Sequence, residues 1–419
     1  MKRPVRVALA GRGSAPAKRL VVGVQTMNAE VKRRDFLVTA GLAAAALPPA
    51  TGRAAPVIPG FEQAPTKPEA STGWKPVSDR KLRVGIVGYG YCRFGAAFGF
   101  QRHPNVEVVA VSDLVPERCT ELAKACACAQ TYPSLEELIK DDRIEAVFVA
   151  TDAPSHARHC CEVLRRGKHV ACAVPAVFGS LEDAAELATT VQRSGLTYMM
   201  FETSCFHDDL FAMRRLYQAG ALGEVVYTEG EYYHYMSQPL PSWRDWRVGL
   251  PPQWYPTHSN AYHIGVTAGR FTEVSCLGMP STIAHLTPAG NRYGNPFGTE
   301  IALFRTSEGG SARMAVSWDT PGHEGEMGRI RGQQGAVYRT FAGPRAHQVD
   351  LKRPPLPPGV DAGGHGGSHG YLTDEFVTAV LTGRPPLVGI SAALNMTVAG
   401  IVAHQSALKG GELLKIPGF

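Results

Sequence analysis

The chain has 419 residues, of which 44% are hydrophobic, 19% charged and 8% aromatic. This length suits two or three domains with real cores, and the composition excludes a mainly disordered chain, a collagen, a coiled coil and a small disulfide scaffold. The formal net charge of +6 would indicate nucleic acid or an anionic membrane as a partner if the basic residues lay in a folded domain.

The basic excess lies at the amino-terminal end of the chain. Residues 1–55 hold ten basic and two acidic residues, which leaves 33 basic and 35 acidic residues for the rest. A nearly neutral remainder offers no broad cationic surface to a polyanion. We therefore expect no nucleic-acid partner.

Residues 27–55 contain the parts of an export signal in the right order. The letters KRRDFL (32–37) precede an apolar run at 38–47, two prolines and an Ala-rich stretch that ends near residue 55. The pattern is similar to a twin-arginine signal, and ten apolar residues are too few to cross a bilayer, which takes about 20. An ordinary surface helix with adjacent arginines is the alternative.

We accordingly predict a periplasmic or otherwise exported protein, soluble after signal removal, with the twin-arginine machinery as a partner and no stable membrane anchor. Met27 lies just before the motif, so residues 1–26 resemble a misassigned start rather than a folded element. Residues 56–80, rich in Pro, Ser, Thr and Gly, are predicted to form a linker or a surface arm.

The first strand of the folded part runs directly into a glycine-rich turn. Residues 82–87 (LRVGIV) are apolar, and GYGYCRFG (88–95) follows them. Gly88 permits a tight turn, and Gly90 lets a pyrophosphate approach the backbone at a helix N-terminus. The third slot of GxGxxG holds Arg93 instead of glycine. A glycine turn without a ligand is the alternative to a dinucleotide site.

The next segments strengthen the dinucleotide interpretation. A helix-like stretch to residue 102 leads to a second strand, 106–111, and then to Asp113, whose carboxylate suits the adenosine ribose hydroxyls and favours NAD over NADP. The alternation continues with helices at 116–126, 134–140, 154–166 and 181–194 and strands at 146–150, 169–173 and 197–201. Repeated βα units predict a doubly wound parallel sheet, a Rossmann domain, over residues 81–203.

Ligands of such a sheet bind beyond the carboxyl ends of its strands. The segment TDAPSH follows the strand at 146–150, VPA follows the strand at 169–173, and Glu202 follows the strand at 197–201. The predicted cofactor-binding residues are therefore Gly88, Gly90, Tyr91, Arg93, Asp113, Thr151, His156 and Pro175.

The pattern changes after residue 204. A helix at 208–218 precedes strands at 224–235, 301–304 and 312–318, and closing helices are predicted at 371–381 and 394–408. This order predicts a second α/β domain, residues 204–419, with an open and mainly antiparallel sheet.

A loop of aromatic and charged residues lies in this domain. WRDWR (243–247) and WY (254–255) suit sugar rings and hydroxyls, so Trp243, Arg244 and Trp254 are predicted substrate contacts, with simple loop packing as the alternative. His258 opens a predicted helix on which Tyr262 shares its face, and Tyr255 lies one turn earlier. An imidazole and phenols can exchange protons with a sugar hydroxyl, so these three are the catalytic candidates. A structural histidine is the alternative, more strongly so for His263, a substrate candidate.

Metal binding and disulfides are not indicated. The spacing of His365 and His369 suits a metal, but the intervening glycines oppose a helix and no carboxylate is adjacent. The nine cysteines contain no CxxC pair and are predicted to be buried thiols.

The folded part resembles the Gfo/Idh/MocA oxidoreductases over about residues 82–415. The likeness rests on GYGYCRFG, VSDLVPERC, ATDAPSHARH, HVACAVPA and the order of the two halves. It implies a bound nicotinamide, a sugar site against the open sheet and a homo-oligomer. Dehydrogenases of this group carry a Glu-Lys-Pro turn, whereas this chain has Ala173-Val174-Pro175 and lacks the functional lysine.

A narrower resemblance is to the NAD-dependent glycosidases of the same group. The shared segments are the VPA turn, MMFE (199–202), YPTH (255–258) and HGG (365–367), and the last makes His365 a substrate candidate. Two positions depart from that branch, because Ala173 replaces a glutamate and Phe206 stands near a replaced tyrosine.

The prediction is therefore an exported oxidoreductase acting on a sugar or sugar derivative. Outside the cytoplasm no nicotinamide pool is assured, so the NAD must stay bound and be regenerated in each turnover. An NAD-dependent glycoside hydrolase that uses transient oxidation and elimination is the first alternative. A non-catalytic dinucleotide or sugar binder is the second.

Overall fold

The computed structural model describes residues 72–345 and 348–419. The export signal at 1–55, the start at 1–26 and residues 56–71 of the predicted linker lie outside the described residues. Within the described ranges, no helix is long and apolar enough to cross a membrane.

The amino-terminal domain is built on a six-stranded sheet with the order β3-β2-β1-β4-β5-β6, in which every pair of neighbours is parallel. Its strands are β1 (Leu82–Val87), β2 (Val106–Ser112), β3 (Thr131–Tyr132), β4 (Ala146–Val149), β5 (His169–Cys172) and β6 (Tyr198–Met200). Strand β4 is buried along its whole length, as expected for a parallel sheet covered by helices on both faces. The predicted Rossmann fold is confirmed.

Five helices connect these strands, namely α1 (Phe94–Ala97), α2 (Pro116–Ala125), α3 (Leu135–Leu138), α4 (His156–Arg165) and α5 (Leu181–Ser194). Helix α5 begins where the Ser180 hydroxyl accepts the Asp183 N–H and ends at Gly195, which has a left-handed backbone. The predicted helix to residue 102 is shorter, because Gly99, with φ of 80°, ends it before a 3-10 turn at Phe100–Arg102.

The carboxy-terminal domain has an eight-stranded sheet with the order β13-β12-β11-β7-β10-β9-β8-β14. Its strands are β7 (Val225–Tyr233), β8 (Phe271–Pro280), β9 (Phe297–Thr306), β10 (Ser311–Ser317), β11 (Gly325–Gly332), β12 (Ala336–Tyr338), β13 (Thr340–Ala342) and β14 (Leu414–Lys415). Strands β7 and β10 are parallel, and the other neighbours are antiparallel. The predicted mainly antiparallel sheet is confirmed.

The helices of this domain are α6 (Asp208–Gln218), α7 (Thr257–Thr267), α8 (His369–Thr382) and α9 (Ile390–Leu408). Helix α7 lies directly on one face of the sheet. A Cβ on Gly230 would come within 2.0 Å of the Ser259 carbonyl oxygen, and one on Gly328 would meet the Tyr262 ring at 2.1 Å. Glycine on β7 and β11 thus lets α7 approach the backbone of the sheet and buries the start of the helix, where His258 lies.

Helix α8 joins the two domains. Thr373 donates its hydroxyl hydrogen to the Phe98 carbonyl at 2.7 Å, and the rings of His369 and Phe98 pack at a tilt with their centroids 4.2 Å apart. The carboxyl edge of the parallel sheet therefore faces the start of α7 across a shared core.

Candidate functional site

The glycine-rich turn has the shape that a dinucleotide requires. Gly88 has φ of 104°, and a Cβ there would lie 2.2 Å from the Ala150 carbonyl oxygen. At Gly90 no neighbouring atom lies within 4 Å of an added Cβ, so the backbone is open to a ligand. Gly95 takes the packing role of the third glycine, because a Cβ added there would lie 2.4 Å from the Gly88 carbonyl oxygen. Arg93, which stands in the third slot of the motif, adopts a left-handed φ of 53°.

Asp113 lies at the end of β2, where its carboxylate is fixed by the backbone. One oxygen accepts the Tyr89 N–H at 2.6 Å and the other accepts the Val115 N–H at 2.8 Å. Each carboxylate oxygen keeps acceptor capacity for a further donor. This arrangement fits the two hydroxyls of an adenosine ribose.

A cleft of about 1280 Å³, including its open mouth, runs along this edge of the sheet. Seven of the predicted cofactor residues line it, namely Gly88, Gly90, Tyr91, Arg93, Asp113, Thr151 and His156. Together with the glycine turn and Asp113, the cleft fits NAD, whose pyrophosphate would lie at the turn and whose adenosine ribose would lie at the carboxylate.

His156 and Pro175 act together beneath this cleft. The two ring nitrogens of His156 lie 2.8 Å from the Pro175 carbonyl oxygen and 3.2 Å from the Thr151 carbonyl oxygen. Burial lowers the pKa of His156, but Cys172 and these carbonyls outweigh burial and raise it to about 9. A doubly protonated ring can donate to both carbonyls, so His156 ties together the loops after β4 and β5.

A second, smaller cavity opens from the inner end of the cleft and spans about 420 Å³ of space not filled by atoms, including space open to solvent. Its walls are Phe94, Phe98, Ala173, Val174, Phe201, Thr203, Tyr232, His234, Arg247, Tyr255, His258 and His365. Five of these residues also line the cofactor cleft: Phe94, Ala173, Val174, Arg247 and Tyr255. We call this space the inner cavity.

His258 is the buried titratable residue at the base of the inner cavity. Its Nδ1 lies 2.8 Å from Oε1 of Glu202 and 3.5 Å from Oε1 of Glu326. Burial lowers the pKa of His258, but the two carboxylates outweigh burial and raise it to about 9. At neutral pH the ring is therefore an imidazolium, a proton donor backed by two carboxylates.

The carboxylate of Glu326 is itself shared between two histidines. Its Oε2 lies 3.0 Å from Nε2 of His207. Burial raises the pKa of Glu326, but His258 and His207 outweigh it and hold that pKa well below the usual range, while the pKa of His207 is raised. Glu326 and His207 thus form a second layer behind His258, which sequence reasoning missed because β11 carries no local signal.

The three tyrosines near His258 differ in position. Tyr255 lines both the cleft and the inner cavity, and burial raises its pKa to about 12 against the opposing effect of Arg247. Tyr232 packs edge-on against His258 with ring centroids 4.6 Å apart. Tyr262, a predicted catalytic residue, lines neither space, because its hydroxyl lies 3.3 Å from Oδ2 of Asp209, behind the site.

His365, a predicted substrate contact, lines the inner cavity from the loop before α8. Nδ1 of His369 donates to the Ala97 carbonyl oxygen at 3.2 Å, so its Nε2 can accept from Nδ1 of His365 at 2.9 Å. Burial lowers the pKa of both histidines, His369 to about 4, so both are neutral. The pair fixes the tautomer of His365 with Nε2 unprotonated.

The remaining substrate candidates lie elsewhere. Trp243 and Arg244 line the cofactor cleft and not the inner cavity. Trp254 packs on Gly179, where a Cβ would lie 2.8 Å from its ring, and lines neither space. His263 faces the other side of α7, with Nε2 3.3 Å from Oε2 of Glu308. A helical step of five residues turns His263 away from His258.

Arg247 belongs to the same aromatic loop but was not among the predicted residues. Its guanidinium carbon lies 4.2 Å from the centre of the Trp246 ring and 5.7 Å from that of Tyr255. It lines both the cleft and the inner cavity. The loop motif contained the signal, but spacing alone could not tell which of its two arginines faces inward.

All nine cysteines are free thiols, and eight of them are buried, with Cys92 half-buried. Among residues 72–345 and 348–419, no cluster of three or more side chains has the arrangement of a metal site.

Comparison with known proteins places the amino-terminal domain in a family. Residues 82–202 match the model of the oxidoreductase family GFO_IDH_MocA, NAD-binding Rossmann fold. A glycosyl hydrolase family 109 protein 1 of Bacteroides fragilis is 31% identical over 179 residues, which are 40% of this chain and only 38% of that protein. A glycosyl hydrolase family 109 protein of Streptomyces filamentosus is 25% identical over 100% of this chain and 90% of its own length.

Solved structures share the fold. A levoglucosan dehydrogenase in complex with NADH superposes with a TM-score of 0.68 at 17% identity, over 81% of this chain and 100% of that one. The scyllo-inositol dehydrogenase of Lactobacillus casei gives a TM-score of 0.64 at 16% identity, over 81% and 99% of the two chains.

Proposed function

The NAD-binding domain of this chain belongs to the Gfo/Idh/MocA oxidoreductase family, and from this premise we propose an exported enzyme that oxidises and reduces a carbohydrate with tightly held, internally recycled NAD. NADP fits less well, because Asp113 would repel a phosphate on the adenosine ribose. The export part rests on the twin-arginine pattern of residues 27–55.

The position of His258 is the observation that supports this proposal. It lies at the base of the inner cavity, and the cavity meets the cofactor cleft at Tyr255 and Val174. A carbohydrate in this cavity would present its ring to the nicotinamide end of the cleft and a hydroxyl to the imidazole.

The nicotinamide, when bound, accepts a hydride from a substrate carbon and returns one. The residues of the chain supply the proton chemistry. With Ala173 and Val174 in the loop after β5, no lysine is available there, so His258 holds the mobile proton. As an imidazolium it donates to a carbonyl oxygen during reduction, and once deprotonated it accepts the hydroxyl proton during oxidation. Tyr255 orients the reacting oxygen as a neutral donor.

Glycoside hydrolysis by transient oxidation is the second candidate function, and a specific observation favours it. Departure of an aglycone needs a proton donor, and His258 is held protonated by Glu202 and Glu326. Relatives that match this chain carry the name glycosyl hydrolase family 109. Water addition and reduction would restore the bound NAD without net redox change.

A homo-oligomer is proposed through the face of the second sheet that points away from α7. Leu303 and Leu277 lie on this face of β9 and β8, and Met327 lies there on β11; their exposed fractions are 58%, 59% and 45%. Apolar side chains this exposed on a regular sheet suit a second copy of the chain. A monomer in sedimentation would contradict this part of the proposal.

The activity is tested on purified mature protein with a panel of carbohydrates and nitrophenyl glycosides. Reduced nicotinamide that accumulates with a free sugar supports the oxidoreductase, and release of nitrophenol without net reduction supports the glycosidase. The variant His258→Ala should lower either rate by about 10²- to 10⁴-fold. The exposed His323→Asn, in which Asn tolerates the left-handed backbone, is the matched control. Full turnover in His258→Ala would overturn the assignment.

A further inference from the structure

Arg247 carries a positive charge into the site without a carboxylate to balance it. Its side chain is half-buried and lies where the cofactor cleft joins the inner cavity. No carboxylate of the described residues lies within ion-pair distance, 4.0 Å, of its guanidinium. The ring of Trp246, 4.2 Å away, supports the cation but does not neutralise it.

The walls of the inner cavity are positive as a whole. Arg247 and the imidazolium of His258 are cations, whereas burial keeps His234 and His365 neutral by lowering the pKa of each. None of the wall residues is a carboxylate.

The two carboxylates closest to His258 already contact histidines. Glu202 and Glu326 lie behind His258, where Glu202 contacts His258 and Glu326 contacts both His258 and His207. Both carboxylates contact histidines and neither forms an ion pair with Arg247, which lines the inner cavity. A partly desolvated cation of this kind is complementary to an anionic group of a ligand.

We propose that Arg247 binds a carboxylate of the substrate, so that the carbohydrate taken by this site is a sugar acid, such as a hexuronic acid or its glycoside. The proposal rests on the carbohydrate site proposed above and names its substrate class. A guanidinium offers two parallel N–H donors that match the two oxygens of a carboxylate. The carboxylate would sit at the junction, leaving the sugar ring beside Tyr255 and His258.

The phosphates of the cofactor are the competing source of negative charge. They are expected at the Gly88 and Gly90 turn and the N-terminal end of α1, where backbone N–H groups receive them. Arg247 lines both the cleft and the inner cavity, and its charge lowers the pKa of His234 and His258 and opposes the raised pKa of Cys92, which follows that turn. The proposal takes the carboxylate of a substrate as the partner, and the Arg247 variants below distinguish it from a cofactor phosphate.

The test is calorimetric binding of matched sugars to the NAD-loaded protein. Galacturonate and galactose form one pair, and glucuronate and glucose the other, because the members of each pair differ only at one carbon. We expect at least one acid to bind about 10- to 100-fold more tightly than its neutral partner, the range of a charged hydrogen-bonded pair. Equal or weaker binding of both acids by the wild-type protein would overturn the proposal.

Substitutions of Arg247 test whether this residue causes the preference for acids over neutral sugars. Arg247→Gln should abolish the acid preference, Arg247→Lys should keep part of it, and the exposed Arg193→Gln, which removes the same charge elsewhere, should leave it intact. If Arg247→Gln instead weakens NAD binding and leaves the acid-to-neutral ratio unchanged, Arg247 serves a cofactor phosphate and the proposal fails. If the protein prefers the acids but no sugar reduces its nicotinamide, the proposed function fails and this inference stands. If neutral sugars reduce the nicotinamide and the acids bind no more tightly, this inference fails and the proposed function stands.

Discussion

Replacing Glu202 by Gln removes the carboxylate nearest to His258 while keeping the shape of the side chain. In the wild-type protein Oε1 of Glu202 lies 2.8 Å from Nδ1 of His258, and the carboxylate of Glu326, at 3.5 Å, is the weaker partner. The loss of a buried charged hydrogen bond costs about 1.5 to 3 kcal/mol, which corresponds to a fall of about one to two pH units in the pKa of His258.

The sign of the pH dependence follows from the raised pKa of His258. Because the folded-state pKa is about 9 against 6.5 for an ordinary histidine, protonation of His258 stabilises the fold fully below about pH 6.5, and this contribution is lost as the pH rises through about 9. The difference in unfolding free energy between the wild type and Glu202→Gln should therefore be largest at pH 6 and shrink toward pH 9.

Two assays measure the effect. Urea unfolding at pH 6 and pH 9 gives the stability difference, and the rate of carbohydrate oxidation against pH gives the midpoint at which His258 becomes a base. That midpoint should move from about 9 to between about 7 and 8 in the variant. Glu186→Gln, on a 57% exposed side chain paired with Arg165, is the control and should change stability by less than about 1 kcal/mol. An unmoved midpoint in Glu202→Gln would refute the reasoning.

Two further substitutions test the cofactor turn and the domain packing. Gly88→Ala places a Cβ 2.2 Å from the Ala150 carbonyl oxygen on a backbone with φ of 104°, so the NAD recovered from denatured protein should fall at least about tenfold; normal recovery would contradict the turn assignment. Trp254→Ala removes the ring that packs on Gly179 and Phe178. The substitution should lower the unfolding free energy by about 2 to 4 kcal/mol without changing the KM for the carbohydrate. A raised KM with unchanged stability would instead indicate that Trp254 contacts the substrate.

The sequence predicted the Rossmann half well because its signals are local. The apolar strands and the glycine turn each lie within a few residues of the feature they determine. The second domain was harder to predict, since β11 contains Gly325, Gly328 and Gly332 and lacks the β-branched pattern of a strand. Its place in the sheet depends on pairing with β7, a contact that no local pattern encodes.

The candidate site also contains some residues that local sequence signals predict and others that only tertiary packing brings into position. His258 and Tyr255 follow from helical spacing next to an aromatic loop, and both line the inner cavity. Tyr262 has the right spacing on α7 but points toward Asp209, because the helix lies against the sheet on that side. Glu326 comes from a strand 68 positions further along the chain than His258, so its role depends entirely on tertiary packing.

The central claim is that this chain holds its own NAD and cycles it against a carbohydrate. The most direct measurement mixes protein purified without added cofactor with a carbohydrate panel and records the reduced-nicotinamide absorbance of the protein-bound fraction. We expect NAD in the denatured extract, a rise in that absorbance with a carbohydrate substrate and a return to the starting value when a reducible sugar carbonyl is added. An extract without nicotinamide, or bound NAD that no carbohydrate reduces even transiently, would contradict it.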